Sequence, residues 1–288
     1  MAIGEFNDAR DYNEVQVAAA RSVLLELMLI LGEYRQHIVL VGGWTPVFLI
    51  PSPTEPHVGS TDVDLAINHA QVTEAGYQTI RQHLIESGYR VAENNPAAFL
   101  KKVGNVTVQI DLMSGEYGGT RRDKRHQRVP DTLLRKARGC DLAFIEPEEM
   151  LLEGELPDGG KDSVHIRVAS IEAFLCMKGF ALYGRDKRKD AYDIYYCIRE
   201  FPGGRDAIVE RVRPHIGNGL VREALENIAR CFASPEHRGP KRIAEFDGDL
   251  DKEAREEIQR DAYERVNYVL TQLGIQTVDV DTYDTKAG

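Results

Sequence analysis

The sequence predicts an α/β protein, with a mixed sheet in its first half and an all-helical second half. Three observations carry this. Short apolar or alternating runs bounded by turn residues recur between His37 and Val168. From Ser170 to Leu273 the apolar residues fall at helical spacing instead. Gly104-Asn105 separates two alternating runs, a tight hairpin signal that makes part of the sheet antiparallel. The expected division is a catalytic domain over residues 1–168 and a helical domain over 169–288, whose tail 278–288 is polar and expected to be disordered. With no low-complexity linker between them, the two halves are expected to pack as lobes with the site between them.

The first element is a helix over Tyr12–Leu31 carrying Val15, Ala18, Ala19, Leu24, Leu25, Met28 and Leu31. Its run Val23–Leu31 is almost membrane-like. Glu26 interrupts it, it is too short to span a bilayer, and no positive segment precedes it, so no membrane partner is expected. His37–Val41 reads as a buried strand. Gly42-Gly43 then allows a tight turn, and Trp44–Ile50 reads as a short helix ended by Pro51 and Pro53. Amides opening that helix would suit a phosphate. Thr61–Asn68 is the next strand, and Gln71–Ser87 a helix ended by Gly88. Strands Tyr89–Ala92 and Ala98–Val103 flank the turn residues Asn94-Asn95-Pro96, and Val106–Met113 follows the hairpin. Residues 114–130 form a loop rich in Arg121, Arg122, Lys124, Arg125, His126 and Arg128. Asp141–Glu146, Met150–Leu156 and Val164–Val168 read as further strands, the last two joined across Asp158-Gly159-Gly160.

Ser170 is placed to cap the helix Ile171–Tyr183, on which Lys178 shares a stripe with Ile171, Phe174, Leu175 and Leu182. In the following helix, Lys189–Arg199, Asp190 and Asp193 share the inward face of Ile194, Cys197 and Ile198. Helices over Ala207–Arg213 and Leu220–Phe232 come next, then a loop with Pro235 and Pro240. A long helix, Asp251–Leu273, closes the ordered chain on the stripe Ile258, Ala262, Val266, Val269 and Leu273.

Composition narrows the function classes. A hydrophobic content of 42% and a charged content of 28% are those of a soluble globular protein. The net charge of −10 excludes nucleic-acid binding by the whole surface, though not by a local basic patch such as Arg121, Arg122 and Arg125. Cys140, Cys176, Cys197 and Cys231 form no CxxC pair, and two lie in apolar helical segments. Reduced, buried thiols in a cytoplasmic protein are expected. The eight histidines show no zinc-ligand spacing.

The chemistry is placed in the strand beginning at Thr61. Side chains alternate along a strand, so Asp62 and Asp64 share one face while Val63, Leu65 and Ile67 share the other. Close carboxylates repel each other, and a divalent cation is the usual remedy. In Val106–Met113, Thr107, Gln109 and Asp111 share a face opposite Val108, Ile110 and Leu112. If the two strands are neighbours, three aspartates converge beside a phosphate-accepting turn. That is a two-metal arrangement for displacement at phosphorus. Lys178, Asp190 and Asp193 on apolar faces admit two readings: a structural Lys–Asp tie, or a lysine that neutralises triphosphate charge with an aspartate orienting the nucleotide or acceptor.

Gly42-Gly43, Asp62-Val63-Asp64 and Asp111, each on the element it needs, resemble the signature of polymerase-β-like nucleotidyltransferases. Lys178, the turn Arg185-Asp186-Lys187-Arg188 and the run Lys189-Asp190-Ala191-Tyr192-Asp193-Ile194 narrow this. The chain is similar there to the AbiEii/AbiGii-type toxins of abortive-infection and toxin–antitoxin systems, over roughly Val39–Ile198 with a looser echo at Gly239–Phe246. Ser60 fits the family's Ser-x-Asp-h-Asp pattern. Val58 departs from it, standing where many members carry an arginine, and Arg185 or the 121–128 cluster is the alternative source of that charge. The resemblance implies Mg²⁺- or Mn²⁺-dependent transfer of a nucleoside monophosphate from an NTP to an acceptor hydroxyl, on RNA (tRNA included) or on protein, by a toxin with a cognate antitoxin. Asp62, Asp64 and Asp111 would be its metal ligands and Gly42, Gly43 and Ser60 its phosphate cradle. Lys178 would be the charge stabiliser. Independently of the resemblance, the position of Arg121, Arg122 and Arg125 after a catalytic-looking strand in an acidic protein makes them a candidate acceptor or RNA contact, the other reading being a solvated loop. An aminoglycoside-type antibiotic nucleotidyltransferase and a non-catalytic nucleotide-binding module remain as alternatives.

Overall fold

The computed structural model describes residues 8–68, 71–72, 74–115, 126–129 and 132–276. The chain forms a mixed α/β arrangement that divides into two compact units. The sheet unit comprises Tyr12–Leu49 and Gly59–Phe174, and the helical unit takes in the start of the chain up to Asp11, Ile50–Val58 and the chain from Leu175 onward. The chain therefore leaves the sheet unit for the nine residues 50–58 before it returns to the sheet. The segment 278–288 lies outside the described residues.

The sheet unit opens with α1, Glu14–Ile30, capped by Asn13, whose side-chain oxygen accepts from Gln16 N at 3.0 Å. Its apolar positions wrap nearly the whole surface, and Ala20, Val23, Leu24, Leu27 and Met28 are fully enclosed. β1, Ile38–Val41, is buried along its length, as expected of a strand covered on both faces. A 3-10 turn at Gly42–Trp44 leads into α2, Thr45–Leu49, shorter than the expected helix. Then follow β2 (Asp62–Ile67), α3 (Glu74–Glu86), β3 (Arg90–Ala92), β4 (Asn95–Val103) and β5 (Val106–Ser114). After these come β6 (His126–Val129), β7 (Thr132–Lys136), β8 (Glu148–Glu155) and β9 (Lys161–Val168).

Along the sheet the order is β3-β4-β5-β2-β1-β9-β8. β4 and β5 form the expected hairpin, Val103 opposite Val106 and Ala98 opposite Asp111, across Gly104 at a φ of +57°. β8 and β9 form the other expected hairpin. β2 runs parallel to β5 and antiparallel to β1. Where β4 ends, β7 takes over the same edge of β5, with Met113 opposite Arg135 and Ser114 opposite Lys136. One face of this sheet carries Val63, Leu65, Ile67, Val108, Ile110 and Leu112, which join α1 in a single core. Three local expectations fail: within the expected loop 114–130, His126–Val129 forms β6 and pairs with β7. Asp141–Glu146 is not a strand: Cys140–Phe144 is a 3-10 turn that starts after Gly139 at a φ of +80°. Asn95 and Pro96 belong to β4 instead of the turn; Asn95 pairs with Ala92 at a register irregularity, where a proline's missing N–H is tolerated.

The helical unit holds most of α4 (Ile171–Gly184), then α5 (Arg188–Glu200), α6 (Gly204–Val212), α7 (Gly219–Cys231), α8 (Arg238–Asp247) and α9 (Lys252–Gln272). Asn218 caps α7 and Asp251 caps α9 by accepting from amides of the first turn. Ser170 makes no such cap, its buried hydroxyl having no partner among the described residues. α8 occupies part of the expected loop. Pro240 is its third residue, and in a helix's first turn the missing N–H removes no hydrogen bond. Ala262, Val266, Val269 and Leu273 are buried as their spacing predicts. All four cysteines are free and buried.

Candidate active site

In the sheet unit, the register of β2 on β5 sets Asp64 directly opposite Asp111 and Asp62 opposite Gln109. Partners across a parallel pair project to one face, so Asp62, Asp64 and Asp111 stand together on the face away from the apolar core. Asp62 and Asp64 are half-buried, while Asp111 is 3% exposed. Ser60 Oγ donates to Asp62 Oδ1 at 2.5 Å, and Trp44 Nε1 donates to the Asp62 carbonyl at 2.9 Å, which ties the start of β2 to the glycine turn. Gly42 has a φ of +73°, and a Cβ there would lie 2.0 Å from Asp64 Oδ2. Only a bare α-carbon lets the turn lie against that carboxylate.

Asp111 is held from several sides. Gln109 Nε2 donates to Oδ2 at 2.9 Å and Asn95 Nδ2 to Oδ1 at 3.3 Å, while Arg135 Nη1 stands 3.6 Å from Oδ2. Among the described residues the three aspartates do not all offer an oxygen within 4.8 Å of one another. The donor set nevertheless fits a small hard cation, being all oxygen, on adjacent strands of one face, with backbone amides of a glycine turn beside it. A fourth carboxylate, Asp141, escaped the sequence reading. It sits against Gly115, where an added Cβ would meet its Oδ2 at 1.9 Å. Burial and then the charges of Asp141 and Asp64 push the Cys140 thiol well above its usual range. Gln109 was legible only as a residue on the Asp111 face, while Asn95 and Arg135 reach the site through strand register and Asp141 lies on a 3-10 turn, so none of these three carried a local signal.

In the helical unit, Lys178, Asp190 and Asp193 come together as one buried cluster. Lys178 Nζ lies 2.8 Å from Asp190 Oδ1 and 2.6 Å from Asp193 Oδ2. Lys189 Nζ reaches Asp193 Oδ1 at 2.7 Å, and Arg185 Nε reaches Asp190 Oδ2 at 2.7 Å. Two carboxylates thus face three cations. Burial alone would favour neutral Lys178, but Asp190 and Asp193 outweigh it and hold the ammonium above its ordinary range. Burial likewise opposes ionised Asp190, and Lys178 with Arg185 brings that carboxyl below its usual range. Lys189 is shifted down, burial outweighing Asp193 with Lys178's like charge adding to it.

His57 completes the cluster and was not singled out from the sequence. Its Nε2 is 3.0 Å from Asp193 Oδ1, and its ring packs edge-on against Tyr196 at 4.7 Å between centroids. Burial, then the Lys189 charge, lowers its pKa to about 4 despite the Asp193 contact. It is therefore neutral at pH 7 and, with its hydrogen on Nε2, donates to Asp193. The segment carrying it is fastened to α5, because Tyr196 Oη donates to the Glu55 carbonyl at 3.0 Å and Thr54 N donates to Glu200 Oε2 at 2.7 Å. Arg121, Arg122 and Arg125 lie outside the described residues.

No curated protein and no solved structure matches the chain. A family model described as nucleotidyl transferase AbiEii toxin, type IV toxin–antitoxin system, matches residues 24–268. That span takes in β1 and the Gly42-Gly43 turn, the strands of Asp62, Asp64 and Asp111, the buried cluster of α4 and α5, and nearly all of α9. The chain therefore belongs to the AbiEii nucleotidyl transferase toxin family of type IV toxin–antitoxin systems.

Proposed function

We propose that the chain transfers a nucleoside monophosphate from a nucleoside triphosphate to an acceptor hydroxyl on an RNA end, tRNA included, or on a protein side chain. The observation that supports it most is the pairing of Asp64 with Asp111, Asp62 on the same face and the glycine turn against Asp64. In this reading Asp62, Asp64 and Asp111 hold Mg²⁺ or Mn²⁺, which when bound neutralises phosphate charge and polarises the reacting oxygens. Asp111 accepts the proton of the acceptor hydroxyl. The acceptor oxygen bonds to the α-phosphorus, the bond from that phosphorus to the bridging oxygen breaks, and pyrophosphate leaves with the electron pair. Gly42 and Gly43 offer backbone N–H groups to the phosphates, and Ser60 orients Asp62 and contacts a phosphate oxygen.

Lys178 supplies positive charge for the triphosphate in this reading. Asp190 and Asp193, each bridging two cations, fix where that charge sits. Arg121, Arg122 and Arg125 contact the acceptor's phosphates. Such a reaction requires the cytoplasm, where nucleotide and RNA are both present, and a cognate antitoxin restrains it. No described helix is long and apolar enough to cross a membrane. The test is a filter-binding titration of RNA at several salt concentrations. Replacing Arg121, Arg122 and Arg125 with alanine is expected to lower the salt slope by about one unit per lost phosphate contact. An unchanged slope removes RNA contact from this segment.

A further inference from the structure

Arg135 stands at the carboxylates, yet the reaction as written gives it no task. It pairs with Met113, two residues beyond Asp111, so its side chain rises on the same face as the aspartates. Its Nη1 is 3.6 Å from Asp111 Oδ2, close enough for an ion pair but too long for a hydrogen bond. Gln109 donates to that same oxygen at 2.9 Å. The Arg135 side chain is 41% exposed against 5% for that of Asp111, so the guanidinium leans over the carboxylate from the solvent side. Among the described residues no hydrogen bond anchors its head group, although a guanidinium carries five donors. The amides of Gln109 and Asn95 already satisfy both oxygens of Asp111, so what Arg135 adds is charge.

We propose that Arg135 has two successive partners: Asp111 when no divalent cation is present, and a substrate phosphate oxygen once one is bound. The inference rests on the reading that Asp111 belongs to a nucleotidyl-transfer site. A cation on Asp111 takes over the charge that Arg135 now answers, and like charges repel. A released guanidinium on a half-exposed stem, on the same face as the aspartates, is suited to phosphate, since its planar fork donates two parallel hydrogen bonds to such an anion. Arg135 is then both a competitor of the cation and a binder of the nucleotide, and a structural strut would be neither.

These two properties move in opposite directions on mutation, which makes them separable. Calorimetric titration of the full chain with Mn²⁺ alone is expected to show roughly five-fold tighter binding for Arg135→Gln, since one half-exposed positive charge is removed. Titration with inorganic tripolyphosphate at saturating Mn²⁺ is expected to show roughly ten-fold weaker binding, since a charge-assisted fork is lost. Arg135→Lys should restore the wild-type Mn²⁺ affinity. Mn²⁺ affinity unchanged or weaker in Arg135→Gln, or undiminished tripolyphosphate binding, overturns the proposal. If the wild type binds Mn²⁺ in a manner lost in Asp111→Asn, such a result removes Arg135 alone. If the wild type binds no Mn²⁺, the reading of the site falls and the proposal with it. Should Arg135→Gln fail to fold, the side-chain nitrogen NMR signal of Arg135 in the wild type decides. It should shift on adding Mg²⁺ and again on adding tripolyphosphate, and an unmoved signal overturns the proposal.

Discussion

Replacing Lys178 with methionine separates a strut from a substrate contact. An orphaned buried carboxylate typically costs roughly 3–5 kcal/mol. Here neither aspartate would be orphaned. Asp190 would keep Arg185 at 2.7 Å, and Asp193 would keep Lys189 at 2.7 Å and His57 at 3.0 Å. The remaining set would hold two cations and two carboxylates, so its charges would balance. The loss is then that of hydrogen bonds to charged groups, offset in part because a buried ammonium no longer has to be desolvated. The expected cost is about 2 kcal/mol. For a protein of this size that corresponds to a fall in melting temperature of roughly 4–8 °C. Transfer should fall far more, by a factor on the order of 10², if the lysine stabilises charge at the transferring phosphates. Melting temperature and single-turnover transfer are measured on the same sample. Near-normal transfer by the folded protein, at whatever stability, would leave Lys178 as a strut between α4 and α5 and no substrate contact.

Other outcomes follow from the same geometry. Asp62→Asn and Asp64→Asn should abolish transfer while leaving melting temperature equal or higher, because carboxylate repulsion is relieved; transfer at the wild-type rate in either variant counts against the metal site. Gly42→Ala places a Cβ 2.0 Å from Asp64 Oδ2 at a φ of +73°. It should cost about 1–2 kcal/mol of stability and weaken Mn²⁺ binding roughly 10–100-fold by displacing the carboxylate, which calorimetry would detect. His57, lowered from 6.5 to about 4 by burial, binds its proton more readily in the unfolded chain, so its contribution is lost as pH falls through that window. Shifted carboxyls such as Asp190, Asp193 and Glu200 are lowered from 3.8 or 4.5, so they cost stability only below those values. Urea unfolding should therefore show about 2 kcal/mol less stability at pH 5 than at pH 7.5. His57→Gln should flatten that slope, and an unflattened slope contradicts the assignment.

The sequence made the acid face readable because one side of β2 and β5 is buried. Alternation of Val63 and Leu65 with Asp62 and Asp64 leaves a single workable orientation, and Asp111 follows from the same rule. The helices of the second half were readable for a similar reason, down to the inward placement of Lys178, Asp190 and Asp193. Cys140–Phe144 misled because five mixed residues satisfy a short strand as well as a 3-10 turn, and Gly139 decides between them only through its backbone angle. Pro240 misled because a proline ends a helix from inside but opens one comfortably. The contacts of His57 with Asp193 and of Arg135 with Asp111 join residues far apart in the chain, and no local period records such pairs. The excursion of residues 50–58 into the helical unit was hidden for the same reason, since Pro51 and Pro53 announce a loop without saying where it docks.

Label transfer tests the central claim most directly. The full chain is incubated with Mg²⁺, total cellular RNA and protein, and each of the four nucleoside triphosphates in turn, labelled at the α- or the γ-phosphate. Nucleotidyl transfer predicts that an α-label from at least one nucleotide becomes covalently attached to RNA or protein. No γ-label should be attached, and nothing should be attached when Asp64→Asn replaces the wild type. Attachment of the γ-label, attachment that persists in Asp64→Asn, or no attachment from any of the four nucleotides would contradict it.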